Sequence, residues 1–153
     1  MLWDSDFPGI DQYMAAVKTV AGRLGVQIRP VAATRAEEVP SALESLSRDL
    51  DDAVLVFGSP LHSFVHVRAA IISALNTKRL PAIYPYRPFV DNGLMSCGTS
   101  LEALWSRSPV FIDKILRGAK PADLPVEQPT TFELMINLKT AKTFSGSCQA
   151  TFS

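Results

Sequence analysis

Ala53–Phe57 reads AVLVF, an uninterrupted apolar run set between Asp51-Asp52 and Gly58. A short run of this kind, rich in valine and bounded by turn residues, predicts a central parallel strand covered on both faces. Parallel neighbours require crossover connections, so helices must flank the run in sequence. Upstream, Leu2 and Trp3 finish a short strand, and Asp6, Pro8 and Gly9 turn the chain into a helix with the stripe Ile10, Met14, Val17, Ala21 and Leu24, closed by Gly25. Val26–Val31 alternates as a strand with Val26, Ile28 and Val31 as candidate inward positions, and a helix with the stripe Val39, Leu43, Leu46 and Leu50 follows, capped by Ser41 or Thr34. Downstream come a helix over about Leu61–Asn76 with Val67, Ile71 and Leu75 inward, a strand at Pro81–Tyr84, a short helical or turn segment at Arg87–Asn92, and a strand at Leu94–Cys97. Strand and helix alternate throughout with short connections. The fold class is α/β, a doubly wound, mostly parallel sheet with helices on both faces.

The chain has 153 residues, one domain's worth with enough apolar content for a core. Lysine plus arginine balance aspartate plus glutamate at 15 each, so no long-range field favours nucleic acid or an anionic membrane. No apolar run approaches the roughly 20 residues of a membrane span, and the N-terminus lacks the basic start and apolar segment of a signal peptide. As written, the chain is expected to be soluble and to stay in the cytoplasm. Cys97 and Cys148 belong to no Cys/His ligand cluster and are expected to be free thiols.

The C-terminal third carries the most distinctive run, KILRGAKPADLPVEQPT, Lys114–Thr130. Leu101, Leu104, Trp105, Ile112, Ile115 and Leu116 recur at helical spacing, Pro109 should kink or split that helix, and Gly118 is a natural stop after Arg117. Pro121, Pro125 and Pro129 then predict an extended segment over a surface, anchored by Leu124 and Val126. Phe132, Leu134, Ile136 and Leu138 alternate as a strand with one well-buried face, with Asn137 at its end.

KILRGAKPADLPVEQPT followed by FELMINLKTAK resembles the C-terminal part of the ABC-transporter substrate-binding family that includes tryptophan- and tyrosine-binding proteins. LPAIYPYRPFVDNGLMSCGTSLEALW and MLWDSDFPG resemble the family's preceding segments, so the likeness covers roughly Met1–Lys142. It implies one lobe of a type I periplasmic binding protein, the second, over residues 1–142. It also implies a small-molecule ligand held between two lobes, an ABC permease as partner, and a periplasmic or membrane-anchored extracytoplasmic location for the family. The family also has a first lobe, an export signal and an apolar finish, which are expected to be missing from this chain. Residues 143–153, TFSGSCQATFS, resemble nothing in the family and are expected to be an atypical tail, from a frameshift or a variable ending.

In open α/β sheets, ligands sit beyond the carboxyl ends of the strands. That rule directs attention to Asp4 after the first strand, to Gly58, Ser59 and Pro60 after AVLVF, and to Tyr84, Tyr86 and Arg87 after the next strand. First-turn amides after Ser59 can receive a carboxylate, the tyrosines offer aromatic faces, and Arg87 can clamp an acid unless it pairs with Asp91. His62 and His66 have metal-sharing spacing, but HExxH is not met and no third ligand is evident, so they read as capping or surface residues. VFGSPLH departs from G-x-S-x-G, and neither G-x-G-x-x-G nor a P-loop occurs. Catalytic residues, a metal and a cofactor are therefore not expected.

Solute capture without turnover is the leading expectation, with weak binding by an isolated lobe and a possible homodimer through its exposed face. The rivals are a stand-alone flavodoxin-like or Rossmann-like regulatory or small enzymatic domain, and a non-functional gene fragment. A receiver-type module would want an acidic cluster at the strand ends, where this chain has Phe57 and Tyr84.

Overall fold

A computed structural model describes residues 1–144. The strands are β1 (Leu2–Trp3), β2 (Val31–Ala32), β3 (Val54–Leu55), β4 (Ala82–Tyr84), β5 (Met95–Thr99) and β6 (Phe132–Ile136). The helices are α1 (Ile10–Leu24), α2 (Val39–Glu44), α3 (Pro60–Ser63), α4 (Val65–Thr77), α5 (Leu101–Leu116) and α6 (Leu138–Phe144). β1 pairs with β2, and β3, β4, β5 and β6 follow one another in a second ladder. A parallel bridge between Leu2 and Val56 joins the two, with the Phe57 amide donating to the Leu2 carbonyl at 2.9 Å. The spatial order is therefore β2-β1-β3-β4-β5-β6, parallel except for the antiparallel β5–β6 pair. The order reverses between β1 and β3, as in doubly wound folds.

AVLVF is central, as its composition predicts. It is not covered on both faces, however: Val54 and Val56 are buried while Leu55 is 36 % exposed. The main core lies on the face of Val54, Val56, Ala82 and Tyr84, where Val39, Leu43 and Leu46 meet Val67, Ile71 and Leu75. Each such aliphatic side chain contributes about 1.5–3 kcal/mol on full burial. Lys78, just past α4, fastens this layer by donating from Nζ to the carbonyls of Leu43 (2.8 Å), Glu44 (3.0 Å) and Leu46 (2.7 Å). A cation on the last carbonyls of a helix satisfies acceptors that have no intrahelical partner.

That contact marks where α2 stops, well short of the stripe ending at Leu50, which is exposed. Beyond α2, Asp51 accepts from the Ser47 amide and from both Arg29 Nε (3.0 Å) and Nη2, so a side-chain network replaces helical bonding. Neither expected cap acts as one. The Glu38 carboxylate instead takes the Thr34 amide and hydroxyl, which hold its pKa down at about 2, and the Ser41 hydroxyl donates back to the Glu38 carbonyl. The predicted strand Val26–Val31 is likewise displaced. Val26 is exposed, and the ladder with β1 starts late, with the Met1 amino group donating to the Arg29 carbonyl and the Val31 amide donating to the Met1 carbonyl.

The C-terminal third has the predicted elements but not the predicted burial. α5 runs unbroken through Pro109 and ends at Leu116, with Gly118 at φ 98° beyond it. Its stripe is open, with Trp105 74 % and Leu116 81 % exposed. Pro121–Asp123 forms a 3-10 turn rather than extended chain, Leu124 is half-buried, and Val126 is 95 % exposed and anchors nothing. The segment is tied instead by Arg107 to Glu127, with Nε donating at 3.0 Å and Nη2 at 2.6 Å. β6 is a strand, but the face of Phe132, Leu134 and Ile136 is exposed rather than well buried, and Leu138 has moved into α6. Periodicity reports that a face is apolar; it does not report what covers it. Asn137 ends β6 and caps α6, its Oδ1 accepting from the Lys139 and Thr140 amides. Thr143 and Phe144 form the end of α6, while the rest of the tail, Cys148 included, lies outside the described residues.

Gly98 in β5 lies so close to Pro85 that a Cβ there would collide with the Pro85 carbonyl oxygen. Gly98→Ala is expected to destabilise the protein by about 1–3 kcal/mol or more in urea unfolding. Gly22→Ala, in α1 with open space around it, is expected to stabilise by about 0.5–1 kcal/mol. Equal midpoints for the two variants would contradict this packing.

Candidate functional site

The carboxyl ends of β1, β3 and β4 open onto a cleft of about 460 Å³. Phe7 from the loop after β1 lies on one side, and Gly58, Ser59 and Pro60 from the loop after β3 form the floor with Ser63. Arg68 of α4, Tyr86, Pro88 and Phe89 from the loop after β4, and Leu101 at the start of α5 complete it. Phe7 is set by edge-on contacts with Phe57 and Tyr13, ring centroids 5.4 and 6.3 Å away.

The floor is rigidly built. Ser59 is buried and caps α3, its Oγ accepting from the His62 amide at 3.3 Å, while its carbonyl accepts from the Ser63 hydroxyl at 2.8 Å. His62 is fully buried, and its Nδ1 lies 3.0 Å from the Phe57 carbonyl. A carbonyl only accepts, so Nδ1 carries the proton and Nε2, which has no protein partner, is a bare acceptor. Burial pushes the imidazole's pKa down, against the Phe57 carbonyl and the Asp4 carboxylate, which pull it up. His62 thus ties both ends of the Phe57–Ser59 segment to α3. Gly58 allows the Tyr86 hydroxyl to come near, since a Cβ there would stand 3.0 Å from it.

Of the residues read from sequence as a site, Gly58, Ser59, Pro60 and Tyr86 are brought together in this cleft. Asp4 lies beneath it, nearly buried, with Oδ1 accepting from the Asp6 amide at 3.1 Å. Tyr84 is in the core, 1 % exposed and stacked on Phe89 at 5.1 Å, and burial drives its phenol pKa upward. Arg87 lines a smaller neighbouring hollow and meets Glu102 at 4.0 Å rather than Asp91. His62 and His66 do not share a face, because the chain is extended at Phe64 between α3 and α4; His66 stacks on Phe64. His62 is therefore a core residue, not a surface one. No group of metal ligands occurs among the described residues. Phe7, Ser63, Arg68, Pro88, Phe89 and Leu101 escaped sequence reading. Phe7 was legible as a residue of the first strand-end loop, but Arg68 and Leu101 come from helices, which a search of loops alone passes over.

The model of the ABC transporter substrate binding protein family matches residues 1–148. The chain belongs to this family. Solved structures confirm the family's fold in it. A conserved-domain protein from Vibrio cholerae O1 biovar El Tor superposes with a TM-score of 0.83 at 18% identity, over 94% of this chain and 48% of that one. An ABC domain from Streptococcus pneumoniae in complex with L-Trp gives 0.79 at 22% identity, over 94% and 49%. The ligand-free, open structure of a substrate binding protein with adhesive properties from Clostridium difficile gives 0.65 at 19% identity, over 94% and 48%. This family member thus spans about half the length of the solved structures it matches. No curated protein matches its sequence. No helix among the described residues is long and apolar enough to cross a membrane.

The buried neutral His62 makes a pH prediction. Its folded pKa lies below the unfolded value near 6.5, so the unfolded state binds more protons in between, and the stability present above that value is lost as pH falls. Urea midpoints are expected to drop from pH 7 to pH 5 in the wild type and to drop less in His62→Asn, whose amide still reaches the Phe57 carbonyl. Identical pH slopes for the two proteins would show that His62 is not the group that titrates.

Proposed function

We propose that this family member is the second lobe of a solute-binding protein that captures a small molecule, an amino acid, and presents it to an ABC permease for import. The observation that carries this reading is the position of the cleft. It lies beyond the carboxyl ends of β1, β3 and β4, beside the point where the strand order reverses, the region in which doubly wound sheets bind ligands. Its volume suits a small molecule, and its lining combines aromatic faces with a few polar groups. The L-Trp in the Streptococcus pneumoniae complex supports an amino acid as the ligand class.

Capture rather than turnover is the proposed chemistry, with ligand drawing two lobes together because the closed state offers more contacts than the open one. The setting is extracytoplasmic, facing the permease. One lobe then supplies only part of the binding energy. If a two-lobed relative bound at about 1 μM, near −8 kcal/mol, losing half the contacts would leave roughly millimolar affinity or weaker. Calorimetry on the 153-residue chain is expected to show no micromolar binding of any amino acid, while millimolar L-tryptophan shifts the amide resonances of Phe7, Ser59 and Tyr86. Micromolar binding would overturn the half-site reading, and silence of the cleft resonances toward every amino acid would overturn the ligand reading.

The apolar surface of α5 and β6 is the proposed contact with a second copy when the chain is alone, since exposed apolar patches of this kind mark interaction sites. Sedimentation is expected to show concentration-dependent dimers, weakened in Trp105→Glu. A wild-type chain that stays monomeric at high concentration would overturn this.

A further inference from the structure

Arg68 lines the cleft from α4 with no counter-ion. Among the described residues, no carboxylate pairs with it, whereas Arg29, Arg35, Arg87, Arg107 and Arg117 each meet one. Its position is built, not incidental. The guanidinium carbon lies 5.9 Å from the centroid of the Phe89 ring, Phe89 is buried, and Tyr84 stacks on Phe89 at an interplanar angle of 16°. A cation held over an aromatic face keeps its N–H edge free, because the ring takes up the plane of the guanidinium and not its donors. Tyr84, in the core, thus supports Phe89, and Phe89 supports Arg68. Beside Arg68, the hydroxyl-bearing Ser59 and Ser63 and the apolar Phe7, Tyr86 and Leu101 line the same cleft.

We propose that Arg68 is the specificity-determining residue of this cleft, pairing through its guanidinium with the carboxylate of an organic acid whose flat apolar body lies among Phe7, Tyr86 and Leu101. The assignment rests on the ligand-cleft reading above and deepens it. A guanidinium fork matches a carboxylate with two parallel hydrogen bonds, and such charge-assisted bonds are about twice as strong as neutral ones. A neutral ligand of the same shape would leave the cation without its partner. A dianion would bring a second charge to a cleft that has one lining cation.

The test uses 3-phenylpropionate and its uncharged primary amide, titrated into the 153-residue chain at millimolar concentrations while the Arg68 side-chain Nε–H and the Ser59 and Ser63 amides are followed by NMR. The acid is expected to bind at least about tenfold more tightly than the amide. Arg68→Gln is expected to bring the acid down to the level of the amide, and Arg68→Lys to keep part of the preference. Arg68 is partly exposed, so both variants should retain the wild-type amide spectrum outside the cleft. Equal binding of acid and amide, an unchanged preference in Arg68→Gln, or equal loss of both probes in that variant would each overturn the role of Arg68 while leaving the cleft a ligand site. If neither probe moves any cleft resonance, the ligand-cleft reading falls with it.

Discussion

The backbone of AVLVF holds both halves of the sheet together. The Val56 amide donates to the Ile83 carbonyl on one side and the Phe57 amide to the Leu2 carbonyl on the other. Successive backbone groups of an extended chain point to opposite sides, so one short strand can serve two neighbours. Because those neighbours are β1 and β4, the sheet order reverses at β3. The cleft lies beyond the carboxyl ends of these strands, with the loop after β3 as its floor and the loops after β1 and β4 at its sides.

Several residues that line the cleft are positioned by buried neighbours. His62 is fixed in one tautomer by the Phe57 carbonyl, and through its own amide it fixes Ser59. Tyr84 fixes Phe89, which in turn holds Arg68. Tyr84, read from sequence as a ligand contact, is a support of this kind, and Asp4, read likewise, is buried with its carboxylate on the Asp6 amide. For a binding protein such rigidity lowers the ordering cost that a ligand would otherwise meet.

The sheet order was nearly legible from the chain. Alternating apolar patterns with short connections leave few topologies, and Gly25 and Gly118 marked helix ends correctly. What failed was burial wherever a pattern was apolar but its cover was elsewhere. Phe132, Leu134, Ile136 and the stripe of α5 read as core and are open, because amphipathic periodicity is the same whether the face meets its own sheet or another unit. Helix length failed at α2, where Arg29 and Lys78, remote in sequence, capture the groups a longer helix would have used.

The sequence by itself determined the class of fold, the family, and three of the cleft's loops, because strand ends and turn residues are local features and the family's distinctive run is continuous. Tertiary structure alone decided which side chains at those loops line the cleft and which lie below. A side chain's direction at the end of a strand depends on neighbours contributed by other elements. Tyr84 went inward because Phe89 came to rest against it, and Arg68, a residue in the first turn of a helix, reached the cleft over that same ring.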